Sequence, residues 1–174
     1  MHLKIKNIFV FCLANFLVMS CDTNTVFSDH KTYPKKWHKD SLAIFEFTPK
    51  DTINPYHIFI NLRTEKQYQF NNLFLIVALE YPNGKVQKDT LEYAMADKNG
   101  KLYGEGWAVK AHKLWYKGYN SPFVFEENGT YQINIGHAMR KNGAVKGIVE
   151  LEAVTDVGIS IEEKAEDKSN NIKR

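Results

Sequence analysis

Leu73-Phe74-Leu75-Ile76-Val77-Ala78-Leu79, followed by Glu80 and the turn Tyr81-Pro82-Asn83-Gly84, is the stretch on which the fold depends. An apolar run of this length suits a short buried helix or a strand. The β-branched Ile76 and Val77, and the Pro-Asn-Gly turn that stops the run, favour a strand buried on both faces. Asn-Gly tolerates the positive φ angles of tight hairpin turns, so residues 86–94 read as the returning strand. Upstream, Ala43, Phe45 and Phe47 alternate with polar or outward positions until Pro49 ends the segment. In residues 56–63, Ile58, Ile60 and Leu62 share one face, and His57, Phe59, Asn61 and Arg63 share the other. Downstream, Asn99-Gly100 leads into an expected strand at 101–109, and residues 110–122 read as an irregular loop. Asn128-Gly129 precedes residues 130–139, with Tyr131, Ile133, Ile135 and His137 on one face; Asn142-Gly143 leads toward 147–153 and 157–161. Helical periodicity is missing, and eleven Phe with nine Tyr suit sheet structure. The fold class expected is all-β: an antiparallel β-sandwich of jelly-roll or Greek-key type with roughly eight or nine strands.

The two ends read differently. Lys4 and Lys6, an apolar run over residues 8–19, and Val18-Met19-Ser20-Cys21 describe a secretory signal peptide. The run is shorter than the ~20 residues a membrane-spanning helix needs. Cysteine directly after Val-Met-Ser resembles the lipobox of bacterial lipoproteins, which makes Cys21 the expected lipidation site; the alternative is an ordinary signal peptide cut nearby. Cys12 leaves with the signal, so Cys21 is the one remaining thiol and no disulfide framework can form. Buried acyl chains at ~0.8 kcal/mol per CH2 would hold such a chain on a bilayer. The expected organisation is a signal peptide at 1–20, a lipidated N-terminus and tether at 21–36, the sandwich at 37–161, and a flexible charged tail at 162–174. Removing residues 1–20 takes Lys+Arg from 23 to 21 against 20 acids. A nearly neutral chain lacks the basic stripe that nucleic acid requires.

Chemistry is poorly marked. His30, His38, His57, His112 and His137 show no metal-ligand spacing, and His137 reads as a hydrogen-bonded core residue. Asp97-Lys98-Asn99-Gly100 resembles the start of a calcium loop, but Ala108 stands where the bidentate Glu would be. No nucleophile elbow or phosphate loop occurs, so no catalytic residue and no cofactor is expected. Glu46, Asp89, Glu92 and Glu105 could pair as glycosidase carboxylates do; the plainer reading is a solvated strand face. Trp37 reads as a core plug. Trp107, Trp115, Tyr116 and Tyr119 either close the core beneath the 110–122 loop or stand exposed, where aromatic faces bind sugars or proteins.

Several segments together resemble the gliding-motility lipoprotein GldH family of the Bacteroidota. They are Trp37-His38-Lys39-Asp40-Ser41, Pro55-Tyr56-His57-Ile58-Phe59-Ile60-Asn61-Leu62-Arg63, Asp89-Thr90-Leu91-Glu92-Tyr93-Ala94-Met95-Ala96-Asp97, Lys113-Leu114-Trp115-Tyr116, His137-Ala138-Met139-Arg140-Lys141-Asn142-Gly143 and Val154-Thr155-Asp156-Val157-Gly158. The resemblance implies a non-enzymatic lipoprotein serving gliding and type IX secretion. Its expected partners are other envelope lipoproteins and membrane subunits of that apparatus, with no small-molecule substrate. The expected location is the outer membrane. A lone acid, Asp22, after Cys21 favours the periplasmic side. Trp115, Tyr116, Arg140 and Lys141 are the expected partner contacts, because binding concentrates on loops of a rigid scaffold. Ser41, Thr52 and Thr90 lie in Asp-Ser/Thr-apolar triplets that resemble O-glycan acceptors of this phylum. The rival function is a carbohydrate-binding module, favoured if Trp107 and Trp115 stand exposed in a shallow groove.

Overall fold

Two antiparallel sheets face each other across one apolar core, and the alternation of each strand decides which side chains enter it. The computed structural model describes residues 24–164; the expected signal peptide, Cys21 and the last ten residues of the expected tail lie outside them. The described residues form eleven strands and no helix: β1 Thr25–Thr32, β2 Lys36–His38, β3 Ala43–Phe47, β4 Pro55–Glu65, β5 Asn72–Glu80, β6 Val86–Ala94, β7 Val109–Lys117, β8 Phe123–Val124, β9 Tyr131–His137, β10 Glu150–Glu152 and β11 Val154–Glu163. One sheet runs β1-β11-β4-β7, with β8 also on β4; the other runs β3-β9-β5-β6, and β2 pairs with β10. The all-β reading holds, with more strands than expected and without closure into a barrel.

The core follows the alternation. Tyr56, Ile58, Ile60 and Leu62 of β4 and Val157, Ile159 and Ile161 of β11 face Phe45, Leu75, Val77, Leu79, Ile133 and Ile135 of the opposite sheet. Phe125, fully buried, packs its ring 5.1 Å from Phe47, 5.4 Å from Tyr56 and 4.8 Å from Tyr131. Trp37 is buried as expected. Its indole Nε1–H donates to the Ser41 carbonyl at 2.8 Å, and its ring meets the edge of His137 at 5.2 Å.

Several expectations are corrected. Residues 25–32 are not a tether: they form β1, paired with β11 from Thr25–Glu162 to Thr32–Asp156. An edge strand is held by backbone hydrogen bonds that any residue can make; only Val26 and Phe27 of β1 pack against the core, the Phe27 ring 5.4 Å from Phe47. At the other end β11 continues to Glu163, two residues past the expected boundary. The run Leu73–Leu79 is buried on one face only; Leu73, Leu75, Val77 and Leu79 point inward while Ile76 is exposed. Of the strand expected at 101–109, residues 101–108 are irregular, because Gly104 and Gly106 take positive φ angles and only isolated bridges form. Residues 110–117, expected as part of a loop, belong to β7: His112, Leu114 and Tyr116 turn inward, with Lys113 outward between them. Gly84, Gly100, Gly129 and Gly143 all have positive φ, so every Asn-Gly is a turn, yet only Asn83-Gly84 closes a hairpin between paired neighbours, β5 and β6.

The register also defines the two ends of the sandwich. One end carries the start of β1, the β3–β4 loop, the β5–β6 turn and the segment around β8; the opposite end carries the 95–108 loop and residues 138–149.

Candidate interaction surfaces

Alternation along β7 places Ala111, Lys113 and Trp115 on the outer face of their sheet and Tyr116 on the inner one. Trp115, 37% exposed, lies with its ring 4.3 Å from Phe59 of β4, 5.1 Å from His57 and 5.5 Å from Tyr119. Lys113 sits 4.1 Å above the Phe59 ring and pairs with Glu162. Next to this cluster the cross-strand rows His30–Gly158–Asn61–Lys113 and Thr32–Asp156–Arg63–Ala111 floor a shallow trough. Tyr103, Gly104 and Glu105 wall it on one side, and its volume is about 640 Å³. The floor is low because Gly158 has no side chain: a Cβ there would lie 2.7 Å from the Asp29 carbonyl oxygen.

Tyr116 is a correction. It is buried, and its hydroxyl donates to Asp89 Oδ2 at 3.1 Å, while Lys117 pairs with the same carboxylate at 2.8 Å. Burial pushes the Tyr116 phenol up, and the Asp89 charge adds to it. Burial alone would raise Asp89, but the Lys117 ammonium and the Tyr116 and Gln87 donors outweigh it and hold the carboxyl below the usual range. Tyr93 donates to the Trp115 carbonyl at 2.6 Å, so β6 and β7 are clasped edge to edge across the sandwich. Tyr116 belongs to that clasp and is not free for a partner.

Arg140 and Lys141 are exposed at the far end, beyond β9. They border a concavity of about 1230 Å³ that also takes in Phe70, Phe74, Ile76 and Ile148. Beneath it the His137 Nε2–H donates to the Trp37 carbonyl at 3.0 Å, and its buried Nδ1 has no partner among the described residues. Burial pushes this imidazole down, the Trp37 carbonyl opposes the shift, and His38 adds to it. Trp115 stands on the outer face of the other sheet, toward the opposite end. The four expected contacts are therefore not one strip: one is in the core, one is on the outer face beside the trough, and two are at the far end.

Trp107 is 83% exposed, with Lys66 Nζ 3.6 Å from its ring, so the core-closing alternative fails for it. Phe59 and His57 were missed as companions of Trp115; their position opposite it across β4 and β7 is a register that sequence spacing does not report. Thr90 is exposed on the outer face of β6, whereas Ser41 and Thr52 are half-buried. Glu46 and Glu92 lie at opposite ends of the outer face of their sheet, and Asp89 turns inward to its own partners, so the expected carboxylates do not converge. Among the described residues no group of His, Cys, Asp and Glu is arranged to hold a metal.

The family model of the GldH lipoproteins matches residues 25–161, which runs from the first residue of β1 nearly to the end of β11. The chain belongs to the GldH lipoprotein family. The gliding motility lipoprotein GldH homolog of Christiangramia forsetii is 45% identical over 157 residues, covering 90% of this chain and 94% of that protein. The gliding motility lipoprotein GldH of Flavobacterium johnsoniae is 43% identical over 163 residues, covering 93% and 99%. The crystal structure of the infectious bursal disease virus VP2 subviral particle is 14% identical and covers 80% of this chain and 32% of its own; its TM-score of 0.29 carries no argument. That the GldH match opens at residue 25 agrees with β1 being an integral strand of the domain.

Proposed function

We propose that this GldH family member is a non-catalytic, lipid-anchored assembly subunit of the gliding and type IX secretion machinery. It is held by Cys21 to the outer membrane and faces the periplasm. The observation that carries the reading is full-length similarity to two proteins named for gliding motility, at 43–45% identity. The arrangement of the surface supports it: Arg140 and Lys141 stand free beside the half-buried Ile148 and Phe70. A basic pair at the rim of a concavity of mixed polar and apolar lining suits an acidic, partly apolar protein surface. The partners are other envelope lipoproteins and membrane subunits of the apparatus.

Mild crosslinking of the tagged protein in membranes tests this. Subunits of the machinery should copurify, and Arg140→Glu with Lys141→Glu should release them while the protein remains folded. Recovery of monomer alone, with gliding and secretion intact in a deletion strain, refutes it.

A second reading is favoured by one observation, the part-exposed ring of Trp115 beside the shallow trough. Saccharide stacking there would be lost in Trp115→Ala and would leave the Arg140 contacts unchanged.

A further inference from the structure

The chain is structured almost from the anchor onward. The Asn24 carbonyl already accepts the Glu163 amide at 2.8 Å, and β1 begins at the next residue. Three residue steps separate Cys21 from Asn24, so even a fully extended chain spans only about 11 Å between them. From this spacing we infer that the anchored domain rests directly on the bilayer with one end of the sandwich, and that Ile53 and Tyr119 enter the lipid interface there. The inference rests on the reading of Cys21 as the lipid carrier.

Both side chains stand at the anchor's end. Glu163 pairs with Tyr56, the Lys164 amide donates to the Pro55 carbonyl at 3.0 Å, and Pro55 pairs with Val124. Asn24 and the chain at Pro55 are thus two strand spacings apart, about 10 Å. Ile53 lies two residues before Pro55. Tyr119 follows Gly118, whose carbonyl lies 3.0 Å from His57 Nδ1. An anchor with a reach of about 11 Å therefore brings lipid within the range of both side chains.

The exposures point the same way. Ile53 is 81% exposed and Tyr119 73%, the two large apolar side chains left most open at this end. Ile53 does not swing freely, because the Asp51 carboxylate accepts the Ile53 and Asn54 amides at 3.0 and 2.8 Å and fixes the turn. Tyrosine, with an apolar ring and a polar tip, is suited to the headgroup level. Lys50 and Lys164 are offset by Asp51 and Glu163, so the contact is apolar and does not depend on anionic lipid. Seated this way, the domain holds Arg140 and Lys141 roughly 30 Å above the bilayer, one strand length away, where a neighbouring subunit can reach them.

The test uses the lipidated mature chain bearing Ile53→Cys, Tyr119→Cys or, at the far end, Val145→Cys; Val145 is 91% exposed. Lipid blocks Cys21, so a polarity-sensitive fluorophore labels only the introduced thiol. The protein is reconstituted alone into phosphatidylethanolamine–phosphatidylglycerol vesicles containing bromine-labelled lipid. Quenching at positions 53 and 119 should exceed that at 145 several-fold, equally at low and high salt. Equal quenching at all three positions, in protein that floats with the vesicles, overturns the seating and leaves the anchor standing. A chain that does not float, or whose Cys21 remains open to labelling, overturns the anchor and the seating together.

Discussion

Trp37→Ala is the substitution whose cost the structure specifies most fully. Trp37 has no exposed surface and lies between Tyr33, with ring centroids 5.7 Å apart, and His137, 5.2 Å away. Truncating a buried Trp to Ala removes its apolar burial and leaves a cavity, together about 3–5 kcal/mol. The lost indole N–H adds little, because the Ser41 carbonyl keeps the Tyr33 hydroxyl at 3.0 Å as a second donor. A loss of about 4 kcal/mol is a large share of the 5–15 kcal/mol that stabilises a typical domain. At ~2–4 °C per kcal/mol for a domain of this size, Tm should fall by about 10 °C. Trp37→Phe keeps most of the ring and should cost about 1–2 kcal/mol. Urea titration of the chain lacking its first 21 residues, followed by circular dichroism, measures both variants. Because His137 and the floor of the Arg140–Lys141 concavity rest on Trp37, W37A should also weaken partner crosslinking at the far end. A W37A protein within about 1 kcal/mol of the parent would refute this account of the plug.

Asp89→Asn leaves the Lys117 ammonium, 2.8 Å away and mostly buried, without its counter-charge, and should cost about 1–2 kcal/mol in the same titration. The Asp89 carboxyl is held low in the fold, so its contribution is present above the ordinary carboxylate range and is lost as pH falls through the folded value; D89N should flatten that part of the acid limb. His112 and His137 are both pushed down by burial, with Lys110 adding to the shift of His112. Below the unfolded value of ~6.5 the unfolded chain binds more protons than the native one, so stability should fall as pH drops from neutral toward the lowered native values, and His137→Gln should reduce the slope. Gly158→Ala would place a methyl 2.7 Å from the Asp29 carbonyl and 3.0 Å from the His30 Cβ, pushing β1 away from β11. It should cost about 1–3 kcal/mol, with faster amide exchange confined to β1 and its neighbours.

What could be read in the sequence was whatever a strand writes into its own alternation. β3, β4 and β9 carry apolar residues at every second position, and the β5–β6 hairpin carries both the alternation of its partner and an Asn-Gly turn. β1 could not be read, because an edge strand whose outer residues meet solvent needs no apolar pattern, and its seven backbone pairings leave no mark in side-chain type. β7 was hidden by Lys110, Lys113 and Lys117, whose charges interrupt the apolar pattern around the inward His112, Leu114 and Tyr116. The remaining Asn-Gly pairs marked turns correctly, but a turn cannot say whether its flanking strands pair with each other or cross to the opposite sheet. The contact residues failed for the same reason. Trp115 and Tyr116 are adjacent in sequence and therefore on opposite faces of a strand, and that distinction exists only once residues 109–117 are known to be β7.

Every functional statement depends on the N-terminal cysteine of the mature chain carrying lipid, and intact-mass analysis of the protein extracted from membranes tests that most directly. The account predicts a chain beginning at Cys21 with a diacylglyceryl group on its thiol, and a Cys21→Ser variant recovered in the soluble fraction. A mature protein beginning elsewhere, or one whose Cys21 thiol is unmodified, would contradict it.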